Sequence, residues 1–332
     1  MKPTQRPPIE IGLNAAIVAV LEQQPLILVV TAGNKSSGSQ EADGLPFGPF
    51  DPLAHRTFET GLRAWVAEQT ALKLGYVEQL YTFGDRGRHA APGDTGPHLV
   101  SVGYLALTRV SQESSETLGR AGAVWRRWYE YFPWEDWRDG RPAILDDTLL
   151  PALARWARTE PHERPDVRPL GRKERIRHAF GELDTRWDEE RALDRYELLY
   201  DAGLVVESGR DGRSILDREA ARGAGVAMRF DHRRILATAI SRLRAKLKYR
   251  PVVFELMDET FTLTELQRTV EAISGRHLHK QNFRRLVEGA ALVEPTGATT
   301  QHGRGRPAAL FRFRREILKE RPAPGFRFGV RA

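Results

Sequence analysis

The spacing of apolar and polar positions changes several times along the chain, and each change predicts a new element. The runs "NAAIVAVLEQQPLILVVTA", with a polar turn at Glu22 to Gln24, and "HLVSVGYLAL" predict β-strands. Between them, "LRAWVAEQTALKLGYVEQLYTFGD" predicts a helix followed by a strand and a turn. The apolar stripe of this helix consists of Leu62, Trp65, Val66 and Leu72. Strands around one amphipathic helix favour an α+β or sandwich core.

The segment 125–137, "WRRWYEYFPWEDW", contains four of the seven tryptophans. Such a cluster can stack on a base or a nucleotide. Packing of an irregular aromatic segment onto the core is the favoured interpretation.

From about residue 146 to 222 the pattern predicts a helical insert. Apolar residues recur there at three and four spacing in "DDTLLPALARWA", "RKERIRHAF" and "RWDEERALDRYELLYDAG". We find no catalytic motif in the insert. The next segment, 231–249, predicts one amphipathic helix capped by Asp231 that joins two domains. Its basic residues are expected mostly outside the apolar stripe, namely Arg233, Arg234, Arg242, Arg244 and Lys246.

The stretch "FTLTELQRTVEAISGRHLHKQNFRRLVEGAALVEPTG" predicts a helix-turn-helix. Thr262 and Glu265 have the spacing of a capping box, and the helix that they start is expected to end at Gly275. A second helix beginning near His279 has a basic, amide-rich start, as expected of a helix that enters the major groove of DNA. Arginine and lysine pair with guanine, and glutamine or asparagine with adenine.

The residues after the helix-turn-helix predict a wing. "ALVEPTG" and "AALFRFRR" alternate apolar and polar positions as a β-hairpin does, and "ATTQHGRGRP" is the loop between them. Arg304 and Arg306 in this loop suit a narrow minor groove, although a plain charged turn is the alternative. His277 and His279 are interpreted as part of a polar turn rather than as metal ligands.

Charge supports the assignment of a nucleic-acid-binding module. The net charge is +7, but residues 229–332 contain 22 Lys and Arg against 10 Asp and Glu, while residues 1–228 contain 29 against 34. A basic C-terminal third on an acidic body is typical of a DNA-binding domain attached to another domain, and a solvated basic surface is the alternative.

Cysteine and hydropathy predict the compartment. The chain has no cysteine, which excludes disulfides and thiolate zinc sites, and no apolar run approaches the roughly 20 residues of a membrane span. No export signal is recognised at the start. We therefore expect a cytoplasmic protein without a membrane partner.

Four blocks of the chain resemble the Nudix-related transcriptional regulators of NAD metabolism, the NrtR family. They are "YVEQLYTFGD" with "VSVGYLAL", "FDHRRILATAISRLRAKLKYRPVVFELM", "FTLTELQRTVEAISGRHLHKQNFRR" and "GRPAALFRF", in the family's order. The resemblance implies an α+β protein with an N-terminal Nudix-like α/β/α sandwich and a C-terminal winged helix-turn-helix. It also implies a homodimeric repressor that binds a palindromic operator of NAD-synthesis or salvage genes and senses ADP-ribose or a related nucleotide, with no cofactor.

The opening helix lies where such a protein has its Nudix helix. Catalytic relatives carry Arg-Glu and then Glu-Glu there, whereas the matching places here are Ala64 and Trp65, then Glu68 and Gln69. One carboxylate beside an amide and an indole is a poor cage for Mg²⁺. Gly48 is the candidate for the glycine that opens the Nudix motif, but its spacing to the helix differs from the motif by about two residues. Nudix hydrolysis is therefore expected to be lost, with Glu68 as the residual carboxylate and no metal bound.

Two alternatives remain open. The first is a Mg²⁺-dependent Nudix pyrophosphohydrolase with an appended winged helix. The second is an inactive module that acts through a protein partner. We divide the chain into a first part of the effector domain at 1–145, an insert at 146–222, a connecting helix at 223–249 and a DNA-binding domain at 250–332.

The candidate site residues fall into two groups. The candidates for DNA contact are Thr262, Thr264, Lys280, Gln281, Asn282, Arg284, Arg285, Arg304 and Arg306. The candidates for the effector pocket or the dimer seam are Gln79, Tyr81, Phe83, Asp85 and Arg88. The resemblance suggests the second group, since it lies in a matching block, while simple core packing of Tyr81 and Phe83 is the alternative.

Overall fold

The computed structural model describes eight parts of the chain, which are residues 8–30, 42–85, 96–110, 118–159, 170–182, 184–300, 307–320 and 325. The first half forms a mixed sheet. Its strands are β1 (Ile9–Leu21), β2 (Gln24–Val30), β3 (Phe47–Pro49), β4 (Tyr76–Phe83), β5 (His98–Leu107) and β6 (Ala123–Arg127). The order is β4-β5-β1-β2-β6, with β3 also paired to β1. Only the β1–β5 pair is parallel among these strands.

Helices cover both faces of the sheet. Helix α1 (Phe58–Thr70) buries Leu62 and Val66 against one face of β1. Leu72 falls beyond this helix, because Ala71 ends it in the left-handed conformation. The other face of the sheet packs against α7 (His232–Leu247), which belongs to the larger core. The expected α/β/α sandwich is therefore confirmed.

The described residues of 145–223 form five short α-helices, of which Ala192–Asp201 packs against α7. They are α2 (Leu150–Arg158), α3 (Arg172–Phe180), α4 (Ala192–Asp201), α5 (Val206–Arg210) and α6 (Arg218–Gly223). The side chains of Tyr196 and Leu199 on α4 lie in the same buried cluster as Leu236 on α7. These helices agree with the helical pattern predicted for residues 146–222.

The aromatic segment 125–137 is mostly packed inside the protein. Trp128 and Trp134 are completely buried, and both lie in the main core. The favoured interpretation of this segment as core packing is thus confirmed, since buried indoles are not available to stack on a base.

Asp231 occupies the N-cap position of α7, as predicted, but its side chain caps no backbone N–H and lies 3.3 Å from Arg234 instead. The expectation about the basic residues of α7 was wrong for two of them. Arg233 and Arg244 were expected outside the apolar stripe, yet both are buried. They are buried because each meets a buried carboxylate, Glu207 for Arg233 and Glu135 for Arg244.

The C-terminal domain contains α8 (Leu263–Ser274), α9 (Lys280–Ala290), the antiparallel pair β7 (Val293–Thr299) and β8 (Ala309–Phe313), and α10 (Ile317–Glu320). This order is helix, turn, helix and hairpin. The predicted winged helix-turn-helix is confirmed. None of the helices in the described ranges combines the length and apolar character that a membrane crossing requires.

Candidate nucleic-acid interface

The first helix of the helix-turn-helix begins at a complete capping box. The Thr262 hydroxyl accepts a hydrogen bond from the backbone N–H of Glu265 at 3.1 Å, and the Glu265 carboxylate accepts one from the N–H of Thr262 at 2.7 Å. At the other end, Gly275 has a φ of 74° and caps α8 in the left-handed conformation. Both predicted boundaries are confirmed, because each depends on local chemistry.

Glu271 fixes the turn between the two helices. Its Oε1 accepts hydrogen bonds from the backbone N–H of Leu278 at 2.8 Å and from the Gln267 amide at 2.9 Å. Its Oε2 lies 3.1 Å from Nδ1 of His277. This carboxylate therefore determines how α9 leaves α8. No sequence motif indicates this role, since a single glutamate late in a helix has no characteristic spacing.

Helix α9 presents the predicted recognition residues to solvent. Phe283 and Val287 are buried and attach the helix to the domain. The exposed side is formed by Lys280, Gln281, Asn282, Arg284 and Arg285. Among these, Arg285 donates a 3.4 Å hydrogen bond to Asn282. The arrangement offers positive charge and amide groups on one exposed face, as base and phosphate contacts require.

The two threonines among the DNA candidates lie in different environments. The Thr262 side chain is only 7% exposed, and its hydroxyl serves the helix cap. Thr264 is exposed at the start of α8. Thr264 is therefore better placed for a DNA contact than Thr262.

The wing is attached to the start of α8 through backbone hydrogen bonds. Phe261 and Phe311 exchange N–H to carbonyl bonds of 2.9 and 2.8 Å. Arg312 and Glu294 form an ion pair across β7 and β8 with an N–O distance of 2.6 Å. Arg304 and Arg306 lie outside the described residues.

Side chains at the expected metal positions of α1 bind the backbone of β3. The Trp65 indole N–H donates to the Pro49 carbonyl at 2.8 Å, and the Gln69 amide both donates to and accepts from the backbone of Phe47. A Cβ on Gly48 would overlap the Trp65 indole, which explains why glycine stands there. Glu68 is exposed. Within the described ranges, no group of three or more metal-ligating His, Cys, Asp or Glu side chains comes together.

The effector candidates do not form one cluster. The rings of Tyr81 and Phe83 lie 5.3 Å apart, and Arg234 lies 5.1 Å above the Phe83 ring. Arg234 also forms an ion pair with Asp85 at this end of α7. Gln79 instead accepts a 3.4 Å hydrogen bond from Tyr104, which packs in the core on the α1 side of the sheet. Arg88 lies outside the described residues.

The two alternatives for Tyr81 and Phe83, an effector contact or simple core packing, have different outcomes. Phe83 is buried in the core, whereas Tyr81 is 62% exposed. Arg234, which joins Phe83 to Asp85, was not among the candidates. No sequence signal indicated it, because its partner Asp85 is 149 residues away along the chain.

The comparison with known proteins supports the C-terminal assignment directly. Residues 253–313 match the family model described as the NrtR DNA-binding winged helix domain. A relative from Acinetobacter baylyi (strain ATCC 33305 / BD413 / ADP1), named ADPR responsive transcriptional repressor NtrR, is 43% identical over 84 residues. The match covers 25% of this chain and 33% of the relative, so the chain spans about a third of the relative that it matches.

Solved structures resemble most of the chain in fold. Shewanella oneidensis NrtR complexed with a 27mer DNA matches with a TM-score of 0.54 and 21% identity, over 93% of this chain and 95% of that chain. A second structure of Shewanella oneidensis NrtR matches with a TM-score of 0.51 and 20% identity, over 92% of this chain and 94% of that chain. The family model confirms, for the winged helix, the resemblance first identified from the sequence motifs, and the likeness to the solved structures is one of fold.

Proposed function

We propose, on the premise that the winged helix of this chain belongs to the NrtR family, that the protein is a DNA-binding transcriptional regulator. The observation that carries the proposal is the exposed basic and amide-bearing face of α9, held by a buried stripe and by the Glu271 turn. Lys280, Arg284 and Arg285 supply charge for phosphates and guanine, while Gln281 and Asn282 supply amides for adenine. The wing arginines Arg304 and Arg306 add minor-groove contacts.

We further propose that the regulator is a repressor that responds to ADP-ribose or a related nucleotide. The name of the Acinetobacter baylyi relative, ADPR responsive transcriptional repressor NtrR, supports this proposal. The proposed targets of the present protein are NAD biosynthesis or salvage genes. It acts in the cytoplasm as a homodimer on a palindromic operator, because two recognition helices related by a two-fold axis read two half-sites.

The Nudix-like domain acts in this proposal as a sensor without hydrolase activity. Trp65 and Gln69, at positions where a catalytic helix needs carboxylates, hold the β3 backbone instead. Glu68 alone supplies too few oxygen ligands for a hard cation. The protein therefore needs no metal or cofactor for its proposed role.

The decisive test is a fluorescence-anisotropy titration with the DNA upstream of the protein's own gene and of neighbouring NAD genes. It is run at physiological salt, with and without ADP-ribose. We expect saturable binding that survives competitor DNA and shifts with ADP-ribose, because base contacts add to the salt-dependent phosphate term. Binding that is equally weak on unrelated duplexes would refute the regulator and direct attention to Mg²⁺-dependent release of AMP or to a protein partner.

A further inference from the structure

A buried carboxylate connects the helical segment 145–223 to α7. The Glu135 side chain is completely buried and accepts a bidentate pair of hydrogen bonds from Arg195 on α4, at 2.6 and 2.9 Å. Arg244 on α7 binds the same carboxylate from the other side. Arg195 also donates to the carbonyls of Ala179 and Asp188, each at 2.9 Å. The charges are thus fully hydrogen-bonded, which is the condition for tolerating them in a core.

Arg244 and two residues near Glu135 also bind the C-terminal end of α8, where the turn of the helix-turn-helix begins. Arg244 donates to the carbonyl of Ile273 at 2.9 Å, and the Tyr129 hydroxyl donates to the carbonyl of Ala272 at 2.8 Å. The backbone N–H of Trp137 donates to the carbonyl of Gly275 at 2.6 Å. The C-terminus of α8 therefore rests on the sensor half of the protein.

A second contact reaches the turn itself from the helical segment. Glu189 precedes α4, and its Oε1 lies 2.9 Å from Nη2 of Arg276, the residue that follows Gly275. The backbone carbonyl of Glu189 accepts a 2.9 Å hydrogen bond from Arg244, so both contacts share one residue. Lys248 also faces the Glu189 carboxylate, at 3.9 Å. Arg276 is 45% exposed and Glu189 only 9%, so the pair lies at the edge of the domain contact.

We propose that Glu189 and Arg276 form a positioning contact through which the helical segment sets the orientation of α9 toward DNA. The proposal rests on the proposed function and adds a regulatory role for residues 145–223, for which the sequence suggested none. Arg276 follows the capping Gly275, and Glu271 binds the next two residues, His277 and Leu278, so a shift of Glu189 is passed to the turn that starts α9. An effector that moves the sensor domain changes operator affinity through this pair.

The test compares operator affinity with and without ADP-ribose in the full chain. Glu189→Gln and Arg276→Gln are each expected to reduce the ADP-ribose-induced change in operator Kd by about threefold or more, because they remove one coupling contact. The doubly exchanged variant Glu189→Arg/Arg276→Glu is expected to restore the change. Taking the ratio of the two Kd values cancels any direct contact of Arg276 with phosphate.

A matched control is available inside the same segment. Arg155 and Asp217 form an ion pair with an N–O distance of 2.8 Å between α2 and the start of α6, and neither residue belongs to the winged helix. Arg155→Gln is expected to leave the ADP-ribose response at the wild-type value. Amide hydrogen exchange gives a second readout, and Glu189→Gln should speed exchange at residues 276–279 while Arg155→Gln should not.

The outcomes separate this inference from the function on which it rests. If wild-type protein binds operator and responds to ADP-ribose, but Glu189→Gln and Arg276→Gln respond equally well, the positioning contact is refuted and the regulator stands. A loss of response in both single variants that the exchanged variant fails to restore also refutes the pair. If the wild-type protein shows no specific operator binding or no response to ADP-ribose, both the proposed ADP-ribose-responsive regulator and this coupling are refuted.

Discussion

The indole N–H of Trp65 donates a 2.8 Å hydrogen bond to the carbonyl oxygen of Pro49. Together with Gln69, whose amide binds the backbone of Phe47, it ties α1 to the short strand β3. The side of α1 that in a Nudix enzyme would hold metal thus stabilises the protein's own backbone. This arrangement gives two tests, one of stability and one of metal dependence.

Replacing Gln69 with Glu should destabilise the N-terminal Nudix-like domain. A carboxylate can accept from the Phe47 N–H but cannot donate to the Phe47 carbonyl, which loses its partner. We expect a loss of about 1–2 kcal/mol in the free energy of unfolding, measured by denaturant titration. Glu68→Gln, a change at an exposed neighbour, should stay within about 0.5 kcal/mol of wild type. Equal losses in the two variants would show that the β3 contact is not the cause.

Removal of divalent metal should leave the nucleotide response unchanged. The expected positions on α1 offer Glu68 as a carboxylate beside Trp65 and Gln69, which is too little for Mg²⁺. We expect the operator Kd, measured with ADP-ribose in EDTA and in Mg²⁺ at matched ionic strength, to be the same. Release of AMP from ADP-ribose on adding Mg²⁺ would contradict this expectation and favour the hydrolase.

Arg284 on α9 should contribute to operator affinity through its charge. Arg284→Ala is expected to weaken binding and, if the contact is to phosphate, to lower the slope of log K against log salt by about 1. A contact to guanine would instead cost about 1–3 kcal/mol and relax specificity at one base pair. Lys73→Ala removes one exposed charge far along the chain from α9 and serves as the control. Identical titration curves for Arg284→Ala and wild type would remove Arg284 from the interface.

More features of the C-terminal domain than of the N-terminal domain could be predicted from the sequence, and the reason is physical. The capping box at Thr262, the left-handed Gly275 and the buried stripe of α9 all depend on residues within one or two turns of each other. Local chemistry of this kind can be read from spacing. The strand β5 was predicted with its observed ends, His98 and Leu107, from its mostly apolar, β-branched and aromatic composition.

Contacts between residues far apart along the chain could not be predicted from such local patterns. Arg244 looked like a solvent-exposed charge on an amphipathic helix, since its carboxylate partner Glu135 is 109 residues away. The effector candidates illustrate the same limit, because Phe83 is buried in the main core, whereas the nearby Gln79 is exposed and bonds Tyr104 of the other core. The β4 strand contains a register shift between Gln79 and Thr82, which no simple alternation predicts.

Gly275 should tolerate no side chain. Its φ of 74° disfavours other residues, and an added Cβ would overlap the carbonyl oxygen of Glu135. Gly275→Ala is expected to lower the free energy of unfolding by more than about 1 kcal/mol and to weaken operator binding, because it displaces the turn before α9. Gly289→Ala, where an added Cβ meets no atom within 4 Å, is the control and should not destabilise the protein. An unchanged free energy of unfolding in Gly275→Ala would show that the two domains are not in close contact at this turn.

Glu135 should make the stability of the protein depend on acid pH. Burial alone would raise the pKa of this carboxyl, but Arg195 and Arg244 outweigh burial, and the pKa lies below its ordinary value. A lowered folded-state pKa means that the stabilisation is fully present above the unfolded value of about 4.3 and is lost as pH falls through the folded one. The loss is therefore expected below about pH 4.

The measurement is the free energy of unfolding of wild type and Glu135→Gln between pH 7 and pH 3. At pH 7 we expect the variant to be less stable by about 3–5 kcal/mol, because Arg195 and Arg244 lose their common counter-charge in a dry core. The difference should shrink toward pH 3, because below about pH 4 the unfolded chain takes up a proton that the folded carboxyl, with its lowered pKa, does not. Asp139→Asn, a change at an exposed carboxylate near the same segment, should show no such convergence. A gap between wild type and Glu135→Gln that stays constant over this range would mean that packing, and not the buried charge, holds the segment 145–223 to the helix-turn-helix.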